Sequence, residues 1–188
     1  MKKDVLSLVE TSILVAIAIA FDFLSKLIPG NSMPQGGSVS IVLLPLVIIA
    51  YRHGFIHGFI GGFIYGFYNF LMDGYAFHWG SFIFDYGLAF ILVGMATIFK
   101  KDALKGNILN FILGLVLASF LKYLMSSLSG VLFFAEYAGD LNPWFYSFVI
   151  YNFPYNALSL LFMLMLGVVI YPSLVTVLSP EEQMHLEH

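Results

Sequence analysis

The amino-acid sequence predicts an all-α integral membrane protein, a bundle of six transmembrane helices with both termini in the cytoplasm. Three observations support this fold class. The chain of 188 residues is 60% hydrophobic and only 10% charged, whereas about a quarter of the residues in a soluble domain carry charge. Apolar runs of the length that crosses a bilayer recur along the chain. The basic residues collect in alternate loops, as they do on the cytoplasmic side of membrane proteins.

Residues 1–185 are predicted to form one domain with six apolar segments. The segments are residues 5–28, 39–51, 54–72, 79–99, 107–134 and 144–178. The first ends at Pro29 and Gly30 and is too long for a signal peptide. The second is the shortest. The sixth is long for one span and contains Pro154 and Pro172, so we expect it to kink or to end before Pro172. We interpret residues 186–188 as the remnant of a purification tag.

The charges of the loops predict the orientation. With the N-terminus inside, the cytoplasmic loops and ends hold the basic residues Lys2, Lys3, Arg52, Lys100, Lys101 and Lys105. The opposite loops carry the acidic residues Asp73, Glu136 and Asp140. Lys26, at the outer end of the first segment, is the exception. The bias follows the positive-inside rule and therefore places both termini in the cytoplasm.

Small residues at four-residue spacing mark two helix faces. The third segment carries Gly54, Gly58, Gly62 and Gly66, a pattern that lets a neighbouring backbone approach closely. We favour packing within one bundle over an interface between copies of the chain. The first segment carries the similarly spaced Ala16 and Ala20.

Three ionisable residues lie within the predicted apolar layer, where each costs about 2.5 to 3.5 kcal/mol at a helix centre. They are Asp22, Asp85 and Lys122. We expect Asp22 to reach outward to Lys26, one turn further on. Asp85 and Lys122 either neutralise each other inside the bundle or line a pocket.

Aromatic and amide side chains favour the pocket. They gather on the predicted outer side: Tyr75, Phe77, Trp79, Phe133, Phe134, Tyr137, Trp144, Tyr146, Tyr151, Asn142 and Asn152. An interfacial aromatic belt explains part of this set. A carboxylate, amides and rings on one side would also suit a small cationic or aminated ring, because rings stack on it and the carboxylate accepts from its amino group.

Several classes of function find no support in the sequence. There is no GxxxxGK[ST] phosphate loop, so the chain is not expected to hydrolyse ATP itself. Cysteine is absent, and neither a HExxH motif nor a Ser-His-Asp arrangement appears, so we expect neither an enzyme nor a bound metal. His53 and His57 share a helical spacing without a neighbouring carboxylate. No basic stripe indicates a nucleic acid partner.

Four segments carry a resemblance to a known family. They are Ser32-Met33-Pro34-Gln35-Gly36-Gly37-Ser38-Val39-Ser40-Ile41, Phe84-Asp85-Tyr86, Leu121-Lys122-Tyr123 with Ser129-Gly130-Val131-Leu132-Phe133-Phe134, and Tyr146-Ser147 with Tyr151-Asn152. In order and spacing they resemble the thiamine-specific substrate-binding (S) components of energy-coupling factor (ECF) transporters. The resemblance implies a six-helix bundle that binds thiamine near the extracellular face without a cofactor. Its implied partners are a transmembrane coupling protein and two ATPase subunits, which alone use ATP.

The resemblance also implies a set of ligand-binding residues. Asp85 and Tyr86 match the pair that holds the aminopyrimidine, Tyr75 matches an aromatic contact, and Asn152 matches the amide on the sixth helix. The adjacent aromatic contact is Tyr146 or Tyr151, because the spacing is one residue longer here than in some relatives. The remaining predicted binding residues, all from the motif on the fifth helix, are Lys122, Ser126, Gly130 and Phe134.

Two of these positions depart from the family. Ser126 stands where relatives often have histidine, and Phe134 stands where some have a tryptophan that stacks on the thiazolium. Residues 29–40 are expected to form a mobile lid, and Ala16 with Ala20 to dock the coupling protein. The alternative function is a stand-alone secondary transporter for an organic cation or a thiamine precursor.

Overall fold

The computed structural model describes residues 2–34, 36–73 and 78–178, and these form the predicted bundle of six helices. The helices are α1 (Lys2–Lys26), α2 (Leu43–His53), α3 (Phe55–Asp73), α4 (Trp79–Ala103), α5 (Ile108–Phe133) and α6 (Pro143–Leu178). Five of them are long and apolar enough to cross a membrane. The proposed tag remnant, residues 186–188, lies outside the described residues.

The exception is α2, which is shorter than a membrane span. Its 11 residues rise by only about 16 Å at 1.5 Å per residue, so the predicted segment 39–51 is not a complete transmembrane helix. It is apolar because protein surrounds it: Leu46, Val47, Ile49 and Ala50 are all fully buried. Packed against α1, α3, α4 and α5, α2 forms the centre of the core.

The glycine-rich face of α3 packs inside the bundle, against α2 and α4. A Cβ atom at Gly58 would overlap Ala50 and Gly94, one at Gly62 would overlap the Phe90 carbonyl, and one at Gly66 the Tyr86 carbonyl. At these three positions the four-residue spacing serves close helix packing, as predicted. Gly54 differs, because it lies before α3 begins and a Cβ there would meet no atom within 4 Å.

Two helices depart from α-helical winding over part of their length. In α4 a π-helical turn, Phe82–Leu88, is followed by a 3₁₀ stretch, Leu92–Phe99. In α6 a π-helical turn covers Tyr146–Tyr151. Such turns hold one residue more than the α-helix and often occur at functional sites.

The sixth helix does not end before Pro172, so that part of the prediction is wrong. α6 continues to Leu178 with Pro172 inside it. Pro172 has no backbone N–H and so removes one hydrogen bond of the helix. One turn later, the Thr176 hydroxyl donates to the Pro172 carbonyl at 3.1 Å.

A charged cluster ties four helices together at one end of the bundle. The Arg52 guanidinium pairs with the Glu10 carboxylate, and His53 Nε2 lies 2.8 Å from the same carboxylate. Arg52 Nη1 donates to the Val177 carbonyl at 3.2 Å, and Lys100 Nζ donates to the Arg52 carbonyl at 2.9 Å. His53 thus has a neighbouring carboxylate, that of Glu10, which is distant in sequence. Arg52 and Lys100, both predicted to be cytoplasmic, lie together at this end of the bundle.

Candidate functional site

A cavity of about 120 Å³ lies between α3, α4, α5, α6 and the loop that joins α1 to α2. It contains every predicted ligand-binding residue that the structure describes: Asp85, Tyr86, Lys122, Ser126, Gly130, Phe134, Tyr146, Tyr151 and Asn152. Tyr75, the remaining predicted residue, lies outside the described residues. Motifs from three helices therefore meet in one place.

The fifth helix contributes one continuous stripe to the cavity. Lys122, Ser126 and Gly130 follow each other at four-residue spacing, which puts them on one face of α5, and Phe134 comes directly after the helix ends at Phe133. At Gly130 the Ser147 hydroxyl occupies the place of a Cβ. The small residue thus lets α6 approach α5 beside the cavity.

The two buried charges of α4 and α5 do not pair with each other. Asp85 Oδ2 accepts a hydrogen bond from the Ser129 hydroxyl at 2.5 Å. Lys122 Nζ donates to Asn156 Oδ1 at 3.0 Å and lies 5.2 Å from the ring centroid of Tyr155. The sequence left open whether Asp85 and Lys122 neutralise each other or line a pocket. In the structure both line the cavity, and each has its own hydrogen-bond partner.

Aromatic rings form one wall of the cavity. Tyr146 and Tyr151 stack with their ring centroids 6.1 Å apart, and Tyr151 meets Tyr155 edge to face. Both Tyr146 and Tyr151 line the cavity, and they bound the π-helical turn of α6. The sequence did not decide whether Tyr146 or Tyr151 contacts the ligand, and the structure places both side chains in position to do so.

Hydrogen bonds along α6 hold the amide side chains in place. Asn152 Oδ1 accepts from the Tyr155 hydroxyl at 2.6 Å, and Asn152 Nδ2 donates to the Ser147 carbonyl at 3.0 Å. Asn156 Nδ2 donates to the Asn152 carbonyl at 2.8 Å. Because both amides are buried and bonded, they present fixed polar groups to the cavity.

The loop from α1 to α2 closes one side of the cavity. Asn31 clamps its two limbs, since Nδ2 donates to the Val39 carbonyl at 2.9 Å and Oδ1 accepts from the Val39 amide at 3.2 Å. The Ser40 amide donates to Ser159 Oγ at 3.0 Å. Gly37 lies so close to the Tyr155 ring that a Cβ would collide with it. The segment predicted as a lid is therefore folded against α6.

Sequence reasoning missed part of the lining, namely Asp22, Tyr65, Asn69, Tyr155, Asn156 and Ser159. Asn152, Asn156 and Ser159 are spaced as one polar face within an apolar helix, a signal that was available. Asp22 was expected to reach outward to Lys26. Its carboxylate does pair with Lys26, at 2.7 Å, yet Asp22 is only 4% exposed and lines the cavity.

The predicted docking residues lie elsewhere. Ala16 and Ala20 are both on an exposed face of α1. Neither lines the cavity, so the two predicted surfaces are separate.

Comparisons with known proteins identify the family of the chain. The family model described as thiamine transporter protein matches residues 8–180. A thiamine transporter from Bacillus subtilis is 29% identical, with 81% of this chain and 83% of that protein covered. One from Lacticaseibacillus paracasei is 28% identical over 93% of this chain and 89% of that protein.

A solved structure is also similar. It is that of ThiT from Listeria monocytogenes, with a TM-score of 0.73, 25% sequence identity, and coverage of 93% of this chain and 96% of that one. With its apolar helices, the present chain is a multi-pass protein of the cell membrane whose role is transport rather than catalysis. Because the family model covers most of its length, the chain belongs to the thiamine transporter family.

Proposed function

We propose that this chain binds thiamine with high affinity in the cavity, as the substrate-specific subunit of an ECF-type vitamin importer. One observation carries the proposal. In a member of the thiamine transporter family, a buried carboxylate, fixed amides and stacked aromatic rings face one cavity. These groups match the chemistry of thiamine, which joins an aminopyrimidine to a positively charged thiazolium ring.

Each part of the ligand has a matching group in the cavity. The Asp85 carboxylate accepts from the amino group of the pyrimidine, and Tyr86 lies beside it on α4. Tyr146, Tyr151 and Phe134 offer ring faces, on which a cation gains about 0.5 to 2 kcal/mol. Asn152 adds a fixed amide. Ser126 and Phe134 provide less stacking surface than the histidine and tryptophan that the family resemblance associates with these positions.

The orientation and the energy source belong to the same proposal. The end with Arg52 and Lys100 faces the cytoplasm together with both termini, so the cavity opens to the outside. Since the sequence contains no phosphate loop, the energy comes from two ATPase subunits through a transmembrane coupling protein. That protein docks on the exposed Ala16 and Ala20 face of α1, where small side chains permit close helix contact.

Isothermal titration of the detergent-purified protein tests the ligand. We expect thiamine to bind at one saturable site with nanomolar to low micromolar affinity, and the separate pyrimidine and thiazole halves to bind more weakly. If neither thiamine nor either half produces heat or raises the melting temperature of folded protein, thiamine is not the ligand.

Liposomes that contain only this chain test the mode of transport. A substrate-specific subunit binds labelled thiamine but neither accumulates nor exchanges it across the bilayer. Exchange of internal for external thiamine by the chain alone would instead establish a stand-alone secondary transporter.

A further inference from the structure

The cavity holds a second carboxylate that the proposed binding mode leaves unused. Asp22 lies on α1, one turn before the helix ends at Lys26. Among the described residues it is the one cavity-lining residue that α1 supplies. A buried carboxylate is costly in a membrane protein and commonly marks a functional site.

The two carboxylates reach the cavity from different sides. α1 packs against α2 and α3, whereas the part of α4 that carries Asp85 packs against α3 and α5. The acidic and basic side chains that line the cavity are Asp22, Asp85 and Lys122, and Lys26, the partner of Asp22, lies outside this lining.

The hydrogen bonds of Asp22 leave one oxygen for a ligand. Oδ2 accepts from Lys26 Nζ at 2.7 Å, and the neighbouring Ser25 hydroxyl donates to the backbone carbonyl of Asp22, not to its carboxylate. Among the described residues, no hydrogen bond to Oδ1 accompanies the one that Oδ2 accepts. The Lys26 side chain is 28% exposed, so a carboxylate that only neutralised it could lie at the surface. The Asp22 side chain is instead only 5% exposed.

We propose that Asp22 is a second anionic binding residue, which contacts the positively charged ring of the ligand while Asp85 binds the neutral aminated ring. The inference rests on the proposed function and extends it to α1. It makes Asp22 a specificity residue for charge, because a carboxylate favours a cation over an uncharged ring of the same shape.

Titration of variants with two ligands tests the inference. The ligands are thiamine and an uncharged analogue in which a neutral five-membered ring replaces the thiazolium. For Asp22→Asn we expect the affinity for thiamine to fall about 10- to 100-fold, as for a lost charge-assisted contact. Affinity for the neutral analogue should change less than about 3-fold. Asp22→Glu should recover part of the affinity for thiamine.

The double variant Asp22→Asn/Lys26→Met separates ligand contact from neutralisation of Lys26. It removes the charge of Lys26 together with the charge of its partner Asp22. We expect its affinity for thiamine to stay as low as that of Asp22→Asn. Recovery of the original affinity in the double variant, or an equal loss for both ligands in Asp22→Asn, would overturn the inference. Failure of the unaltered protein to bind thiamine would instead refute the proposed function.

Discussion

At the scale of single residues, the carboxylate of Asp85 lines the cavity and accepts a hydrogen bond from the Ser129 hydroxyl. Asp85 was recognisable because a carboxylate within an apolar helix is expensive. Ser129, which donates to it, carries no comparable signal, since serine is common in membrane helices and its partner is 44 residues away in the chain. The predicted pair of Asp22 with Lys26 is present, but the spacing of the two residues did not reveal that Asp22 is buried and lines the cavity.

Replacing the carboxylate of Asp85 should weaken ligand binding. We expect Asp85→Asn to lower the affinity for thiamine roughly 100-fold, about 2.7 kcal/mol, because the acceptor for the amino group loses its charge. Titration calorimetry measures the loss. Asp102→Asn, a change at an exposed aspartate that does not line the cavity, serves as the matched control. Unchanged affinity in Asp85→Asn would remove Asp85 from the site.

Removing the hydroxyl of Ser129 should weaken binding less. Ser129→Ala deletes one charge-assisted hydrogen bond to Asp85, so we expect about a 10-fold lower affinity for thiamine. Ser127→Ala is the control, because Ser127 Oγ is buried without a hydrogen-bond partner among the described residues. An equal effect of the two substitutions on affinity would show that Ser129 does not act through Asp85.

At the scale of helices, hydrophobicity predicted the number of elements but not the winding of each. The apolar run before Tyr51 predicts a helix, but hydropathy does not distinguish a helix surrounded by lipid from one buried in protein, so it cannot show that α2 is not a span. The π-helical turns of α4 and α6 were likewise hidden, because composition does not encode one extra residue per turn. The glycine spacing of α3 was informative because it reports backbone proximity directly.

The contact between α3 and α4 should not tolerate a methyl group. Gly62→Ala places its Cβ against the Phe90 carbonyl, and we expect it to destabilise the fold by about 1 to 3 kcal/mol, as overpacking does. Thermal unfolding in detergent measures this loss. Gly87→Ala, where the nearest atom to the added Cβ is 3.8 Å away, should unfold at nearly the original temperature. Equal melting temperatures for both variants would contradict the close packing.

The exposed face of α1 should matter for uptake but not for binding. We expect Ala16→Trp to abolish thiamine uptake by cells that contain the coupling protein and ATPases, because the bulky ring prevents close docking. Thiamine affinity of the purified variant should be unchanged. Val169→Trp on α6, at a position that is 75% exposed, controls for a bulky residue facing lipid. Normal uptake by Ala16→Trp would refute the docking face.

At the scale of the whole molecule, the bundle has two chemically different ends. One holds the cluster of Glu10, Arg52 and His53, and the other holds the loops around the cavity. This difference between the two ends could be predicted, because the positions of the basic residues in the loops can be read directly from the sequence. The cavity itself was predicted only through motifs that are distant in the chain, since the convergence of α4, α5 and α6 depends on packing that no single segment encodes.

The orientation can be tested with single cysteines, because the chain has none of its own. In intact cells, a membrane-impermeant maleimide should label Asp140→Cys, in the loop between α5 and α6. It should label Lys105→Cys, between α4 and α5, only after the membrane is permeabilised. Labelling in the reverse order would invert the topology and place the cavity inside.

The π-helical turns of α4 and α6 have a consequence for how such a site can change during evolution. A wide turn confines one extra residue to a single turn of helix. Gain or loss of a residue there moves the cavity-facing side chains by one position while the rest of the helix keeps its register in the bilayer. Both turns hold side chains of the cavity, Asp85 and Tyr86 in one and Tyr146 and Tyr151 in the other. A single-residue insertion or deletion at either turn is thus expected to change which side chains face the cavity without rebuilding the membrane-spanning bundle.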